Sequence, residues 1–182
     1  PTRRSSDLLR DKRQEKIEEL AKLVKISVVH QPGGDIDVSI DGKPLVLADT
    51  VTYRGMMFTG VPNLAWVFGY FRASWTLRSD LIGDFVCKLL NHMDAIGAKR
   101  VDVALRDEDH NMELSDWIEN ENFNPGYLMR GIKMMPRRGD KPEWRHNQDY
   151  WAERNEIPNT DLEGSEFLYD GVRAGKKVTE AA

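Results

Sequence analysis

Cysteine is almost missing from this sequence. Cys87 stands alone among 182 residues, so no internal disulfide can form and a reducing compartment is expected. Long apolar runs are missing as well: none approaches the roughly 18 to 20 residues of a membrane span. The start, PTRRSSDLLRDKRQEK, is charged throughout and lacks the apolar core of a secretory signal. A cytoplasmic location without a transmembrane segment is therefore expected. There is no excess of positive charge, since 26 Lys and Arg face 30 Asp and Glu for a net charge of −4. That balance denies the chain the basic field that supplies most phosphate-backbone affinity, so nucleic acid is not an expected partner. Neither a G-x-S-x-G elbow nor an internal repeat occurs.

What is present falls into four pieces: 1–25, 26–105, 106–170 and 171–182. The first carries 8 Lys and Arg against 5 Asp and Glu. Leu9, Ile17, Leu20, Leu23 and Val24 recur there at helical spacing, which predicts an amphipathic surface or linker helix. Its first eight residues, PTRRSSDL, look like translated adapter sequence and are set aside. The second piece opens with β signals: KISVV, then the turn-forming QPGGD, then Ile36, Val38 and Ile40 alternating with Asp37 and Ser39. Asp41-Gly42 before KPLVL predicts a hairpin. Thr50 to Phe58 reads as a further strand weakened by Gly55.

The apolar centre of the chain lies between Val61 and Leu105. LAWVF has the length and continuous apolarity of a strand buried on both faces, with Gly69 ending it. A helix follows, capped at Ser74 or Ser79 and running to about Ile96. Leu81, Ile82, Phe85, Val86, Leu89, Leu90 and Met93 lie on one broad face of it, and Gly97 is its expected C-cap. RVDVAL then alternates like a strand. The expected class is mixed α/β with a strand-turn-helix-strand core. Between Asp107 and Met129 there are seven acids and no Lys or Arg. A basic stretch follows through Arg130, Lys133, Arg137, Arg138, Lys141 and Arg145, with opposite charges available to pair. Pro136, Gly139 and Pro142 break that stretch into turns, which favours a solvated surface over a phosphate site. From Gly171, GVRAGKKVTEAA reads as a frayed, flexible tail.

Few constellations carry chemistry. His30, His92, His110 and His146 are dispersed, and no metal-ligand spacing appears. Cys87 and His92 sit about 140° apart around a helix, so they form no ligand pair. Cys87 is read as a small core residue. The glycine-rich strand-to-helix turn that receives a pyrophosphate is missing. What remains is the passage from Gly69 to Thr76, where free N–H groups and the helix dipole could meet a carbonyl oxygen or an anion, such as the pyrimidine edge of a flavin. Every αβ unit contains such a turn, so on these grounds alone it is equally a structural feature.

Three stretches together are order-specific: YRGMMFTGVPNLAWVFGYFRASWTLRSDLIGDFVCKLLNHM from Tyr53 to Met93, NPGYLMRGI from Asn124 to Ile132, and PEWRHNQDY from Pro142 to Tyr150. With them, Gly33 to Asp170 resembles the C-terminal part of FAD-containing monooxygenases of the Baeyer-Villiger type, in the bacterial ethionamide-activating group. The resemblance implies a partial Rossmann-like FAD domain, with FAD and NADPH as cofactors of the full-length parent and a small organic substrate, a ketone or a soft heteroatom. It makes LAWVFGY the last strand of that domain and turns the next residues toward the flavin. The cofactor-binding candidates are then Gly69, Tyr70, Ala73, Ser74, Trp75 and Thr76; none is catalytic. Where the family usually has Thr-Asn, this chain has Phe71-Arg72, so no side-chain contact is carried over there.

The family's two glycine motifs and its monooxygenase fingerprint have no counterpart in this sequence. Its Ala-Thr-Gly segment is also missing, the chain reading Leu20-Ala21-Lys22-Leu23-Val24 there. The expectation is a C-terminal portion whose partners are the missing N-terminal FAD and NADPH domains, and which alone retains no cofactor and has no activity. Two rivals remain: a small non-catalytic binding domain using the MMF and WVF surface, and a truncated product without function.

Overall fold

The computed structural model describes residues 26–30, 36–40, 43–44, 46–118 and 126–175. The chain divides into two compact units, Pro1–Leu45 and Val46–Ala182. The helix expected over 1–25 lies outside the described residues.

The first unit holds an antiparallel meander of β1 (Ile26–His30), β2 (Ile36–Ile40) and β3 (Lys43–Pro44). The strands β1 and β2 run in register, Val28 pairing with Val38. Ile40 pairs with Lys43; the expected Asp41-Gly42 turn lies outside the described residues.

In the second unit the expected strand over Thr50 to Phe58 is two: β4 (Thr52–Tyr53) and β5 (Met57–Phe58) fold into a hairpin. Arg54 and Gly55 turn it with φ of 48° and 65°, so glycine reverses the chain where a weakened strand was expected. LAWVF is a larger departure. Leu64–Phe68 has no strand pairing, and Val67 is 40% exposed. Its backbone is tied outward by the Trp66 N–H donating to the Met56 carbonyl at 2.8 Å and by the Phe68 carbonyl accepting from Nη1 of Arg78 at 2.8 Å. Apolarity makes a buried strand only where ladders flank it, and no described strand forms a ladder with this run.

Helix α1 (Trp75–Ile96) begins at Ser74, the earlier of the two expected caps. It ends at Gly97, with φ 73°. There the Ala98 N–H reaches the Met93 carbonyl and the Gly97 N–H that of Asp94, a Schellman closure. Ile82, Phe85, Leu89 and Met93 are buried as their spacing predicts. Leu81 and Val86 pack beside them, while Leu90 is 54% exposed. Cys87 is exposed, not core. At 100° per residue it lies nearly opposite the buried line through residues 78, 82, 85, 89 and 93, so helical phase overrides residue type.

RVDVAL forms β6 (Val101–Val103), an edge of an antiparallel sheet with β9 (Phe167–Tyr169) in the middle and β10 (Val172–Arg173) beyond. Gly171 therefore turns a hairpin, where a frayed tail was expected to begin, and Ala174 is buried. The α1 face packs on this sheet together with Tyr53, Met56, Trp144, Ile157 and Leu162. The acidic and basic stretches meet in a small sheet of β7 (Ser115–Asp116) and β8 (Arg137–Arg138), where Lys133 also pairs with Asp116 at 3.0 Å. Two short helices, α2 (Gly126–Gly131) and α3 (Tyr150–Glu156), complete the unit. The class is mixed α/β, built of small antiparallel sheets; no parallel sheet occurs among the described residues, only isolated parallel bridges.

Candidate functional site

The passage from Gly69 to Thr76 divides into a buried half and an exposed half. Gly69 is buried, and a Cβ placed on it would lie 2.3 Å from Cγ of Trp75. Glycine is needed there because the chain folds onto its own Trp75; Gly69 does not have a left-handed φ. Tyr70 is 1% exposed, and its hydroxyl donates to Oε2 of Glu153 at 2.5 Å. Burial, together with that carboxylate, pushes the Tyr70 phenol far above its ordinary value. The Phe71 N–H donates to Oε1 of Gln148 at 2.7 Å.

The exposed half is Ala73, Ser74, Trp75 and Thr76. Ser74 stands at the N-cap position, yet its side chain caps no backbone N–H; its hydroxyl instead meets that of Thr76 at 2.7 Å. The first turn of α1 therefore presents N–H groups and the positive end of the helix dipole that the Ser74 side chain leaves uncapped. Of the six expected cofactor residues, four stand on the accessible side and two, Gly69 and Tyr70, are packed into the support beneath.

Beside the turn lies an aromatic stack that the sequence did not disclose. Trp66 and Trp117 stack at 5.3 Å and 12°, and Trp117 and His146 at 4.6 Å and 5°. Phe68 meets Trp117 and His146 edge-on, the orientation that ring quadrupoles favour. Burial first, and the nearby Arg78 charge second, hold the His146 imidazole well below its usual range and so neutral. A cavity of about 590 Å³ opens against Phe71, Trp117, Arg145, His146 and Gln148. Among the described residues no group of acidic, His or Cys side chains could hold a metal ion, and no helix is long and apolar enough to cross a membrane.

Over 64% of its length the chain is homologous to FAD-containing monooxygenases. The segment is 41% identical over 117 residues to the FAD-containing monooxygenase EthA of Mycobacterium tuberculosis, covering 64% of this chain and 23% of that protein. It is 39% identical over 118 residues to EthA of Mycolicibacterium smegmatis, covering 65% of this chain and 23% of the relative. The probable FAD-binding monooxygenase AlmA of Acinetobacter baylyi is 33% identical over 137 residues, covering 75% of this chain and 27% of the relative. The chain thus spans about a quarter of the length of the curated relatives it matches. Residues 1–65 also match the family model of the flagellar hook-associated protein FlgK helical domain. Between residues 26 and 44 that region holds a three-stranded antiparallel sheet, so a helical-domain likeness carries no argument for function. No solved structure matches the chain.

Proposed function

We propose that this chain is the C-terminal part of an FAD- and NADPH-dependent monooxygenase that inserts one oxygen atom into ketones or oxidises sulfur and nitrogen centres. The observation that carries this reading is the identity of 41% over 117 residues to a protein named as an FAD-containing monooxygenase. In the proposal, residues 26–105 complete the FAD domain and 106–170 wrap it. The partners are the N-terminal FAD and NADPH domains, and the working compartment is the cytoplasm.

The donor set at the start of α1 fits the electron-rich pyrimidine edge of a flavin. Ala73 to Thr76 are accessible there, and the Ser74 side chain caps none of the helix N–H groups. FAD, when bound, supplies the redox and oxygen-activating chemistry. This chain's share is to present those N–H groups, with Gly69 and Tyr70 shaping the backbone beneath them and Phe68 and Trp117 excluding water behind. The pyrophosphate needs a glycine-rich helix start elsewhere, so the chain alone has neither the grip to retain FAD nor the activity.

Expression with upstream coding sequence that carries two glycine motifs should give a yellow protein that consumes NADPH and oxygen with a cyclic ketone or a thioether. The 182-residue chain alone should be colourless after desalting. Stoichiometric flavin on the chain alone, or an upstream frame without glycine motifs, would overturn the reading in favour of a small binding domain.

A further inference from the structure

Arg78, on the first turns of α1, is 0% exposed and uses all five of its N–H donors. Nε and Nη2 donate to the two carboxylate oxygens of Glu153 at 2.8 and 3.0 Å. Nη2 also donates to the Arg54 carbonyl at 2.6 Å, and Nη1 to the carbonyls of Phe68 and Gly55 at 2.8 and 3.4 Å. Glu153, 2% exposed on α3, accepts the Tyr70 hydroxyl as well. One ion pair thus grips the chain on both sides of Gly69, through the Phe68 carbonyl and the Tyr70 side chain. It also fixes the left-handed Arg54-Gly55 turn and ties it to helix α3. We infer that Arg78, Glu153 and Tyr70 form a positioning device that sets the backbone of residues 69–76 for ligand contact. This rests on the flavin-facing reading of that turn.

A lysine could not replace Arg78, because three donors on a flexible stem cannot satisfy a carboxylate fork and three carbonyls together. The charged members cannot be removed singly without leaving a buried charge, so Tyr70→Phe is the informative variant: it deletes one donor and leaves both Glu153 oxygens bonded to Arg78. In the full 182-residue chain, hydrogen exchange at amides 69–76 should quicken about tenfold in Tyr70→Phe, with exchange in β6 and β9 unchanged. In the FAD-loaded longer protein, the same variant should weaken FAD by a similar factor at temperatures well below its melting point.

Gly69→Val is the control for the reading on which the inference rests. If Gly69→Val weakens FAD while Tyr70→Phe leaves both exchange and FAD affinity unchanged, the positioning role is overturned and the flavin-facing turn stands. If Gly69→Val leaves FAD affinity unchanged, the flavin-facing turn falls. Equal quickening in the turn and in the β6–β9 sheet would make the network a general stabiliser, which also overturns the inference.

Discussion

Two regions of the Val46–Ala182 unit are held together by different physics. Where α1 meets the β6–β9–β10 sheet, Ile82, Phe85, Leu89 and Met93 pack on Val101, Val103, Phe167 and Tyr169. That energy is non-directional and spread over many contacts, so truncations there cost in proportion to area and cavity. At the other end of α1, around residues 66–78, directional groups dominate: the Trp66, Trp117 and His146 stack, and the Arg78–Glu153 pair with its carbonyls. There the removal of one partner leaves another without a counterpart, and the turn read as ligand-facing is built on that end.

The sharpest test of the contrast is to unpair the charge. Glu153→Ala leaves the Arg78 guanidinium buried without a counter-charge, which should cost about 3 to 5 kcal/mol, read from chemical denaturation. Arg78→Met together with Glu153→Leu should recover most of that loss, because a volume-matched apolar pair carries no desolvation penalty. A double variant no more stable than the single one would mean that the carbonyl ties, not the charges, hold this end. On the apolar side, Leu89→Ala and Phe85→Ala, at 4% and 1% exposure, should each cost about 2 to 5 kcal/mol, with no partner substitution that restores it. Losses under about 1 kcal/mol, the size of a surface change, would show that the α1 face is not the main packing surface.

The same contrast explains what could be read from the sequence. Gly97, the α1 face and β6 are local signals, written within a continuous stretch of chain. Arg78 and Glu153 are separated by 75 residues and Trp66 and Trp117 by 51, and no periodicity links them. Even so, a charged residue in phase with the buried face of α1 was a visible anomaly, and Arg78 could have been flagged by it. LAWVF misled because composition specifies apolarity but not the neighbouring strands that a ladder requires. For the six expected site residues, the order Gly69 to Thr76 was legible, but its division into a buried support and an exposed helix start was not, since that depends on Glu153 and Gln148.

A smaller effect should appear with pH. His146 is neutral in the folded chain because burial and Arg78 depress its pKa, whereas in the unfolded chain it titrates near 6.5. Below that value the unfolded state binds a proton that the folded state refuses, so stability should fall as pH drops from about 6.5 and should be flat above it on this account. Protonation would also remove the ring nitrogen Nε2, 3.0 Å from the Gln148 amide, as an acceptor. Melting temperatures of the parent and His146→Phe between pH 7.5 and 5.5 check this. The parent should lose stability across that interval and the variant should not; parallel curves would assign the acid sensitivity to other groups.

The smallest expected effect bears on the same helix as the largest. Cys87 and Leu89 are two residues apart on α1, but 200° of helical rotation puts one in solvent and the other in the core. Cys87→Ala removes no packed atoms and replaces a poor helix former with the best one, so stability should stay within about 0.5 kcal/mol of the parent. The native chain should also react with a thiol reagent such as Ellman's without denaturant, at one equivalent, because an exposed thiol needs no opening of the fold. A thiol that reacts only after denaturation would place position 87 in an interior. The buried line of α1 would then have to rotate by half a turn, and the burial of Arg78 and its pairing with Glu153 would be lost with it.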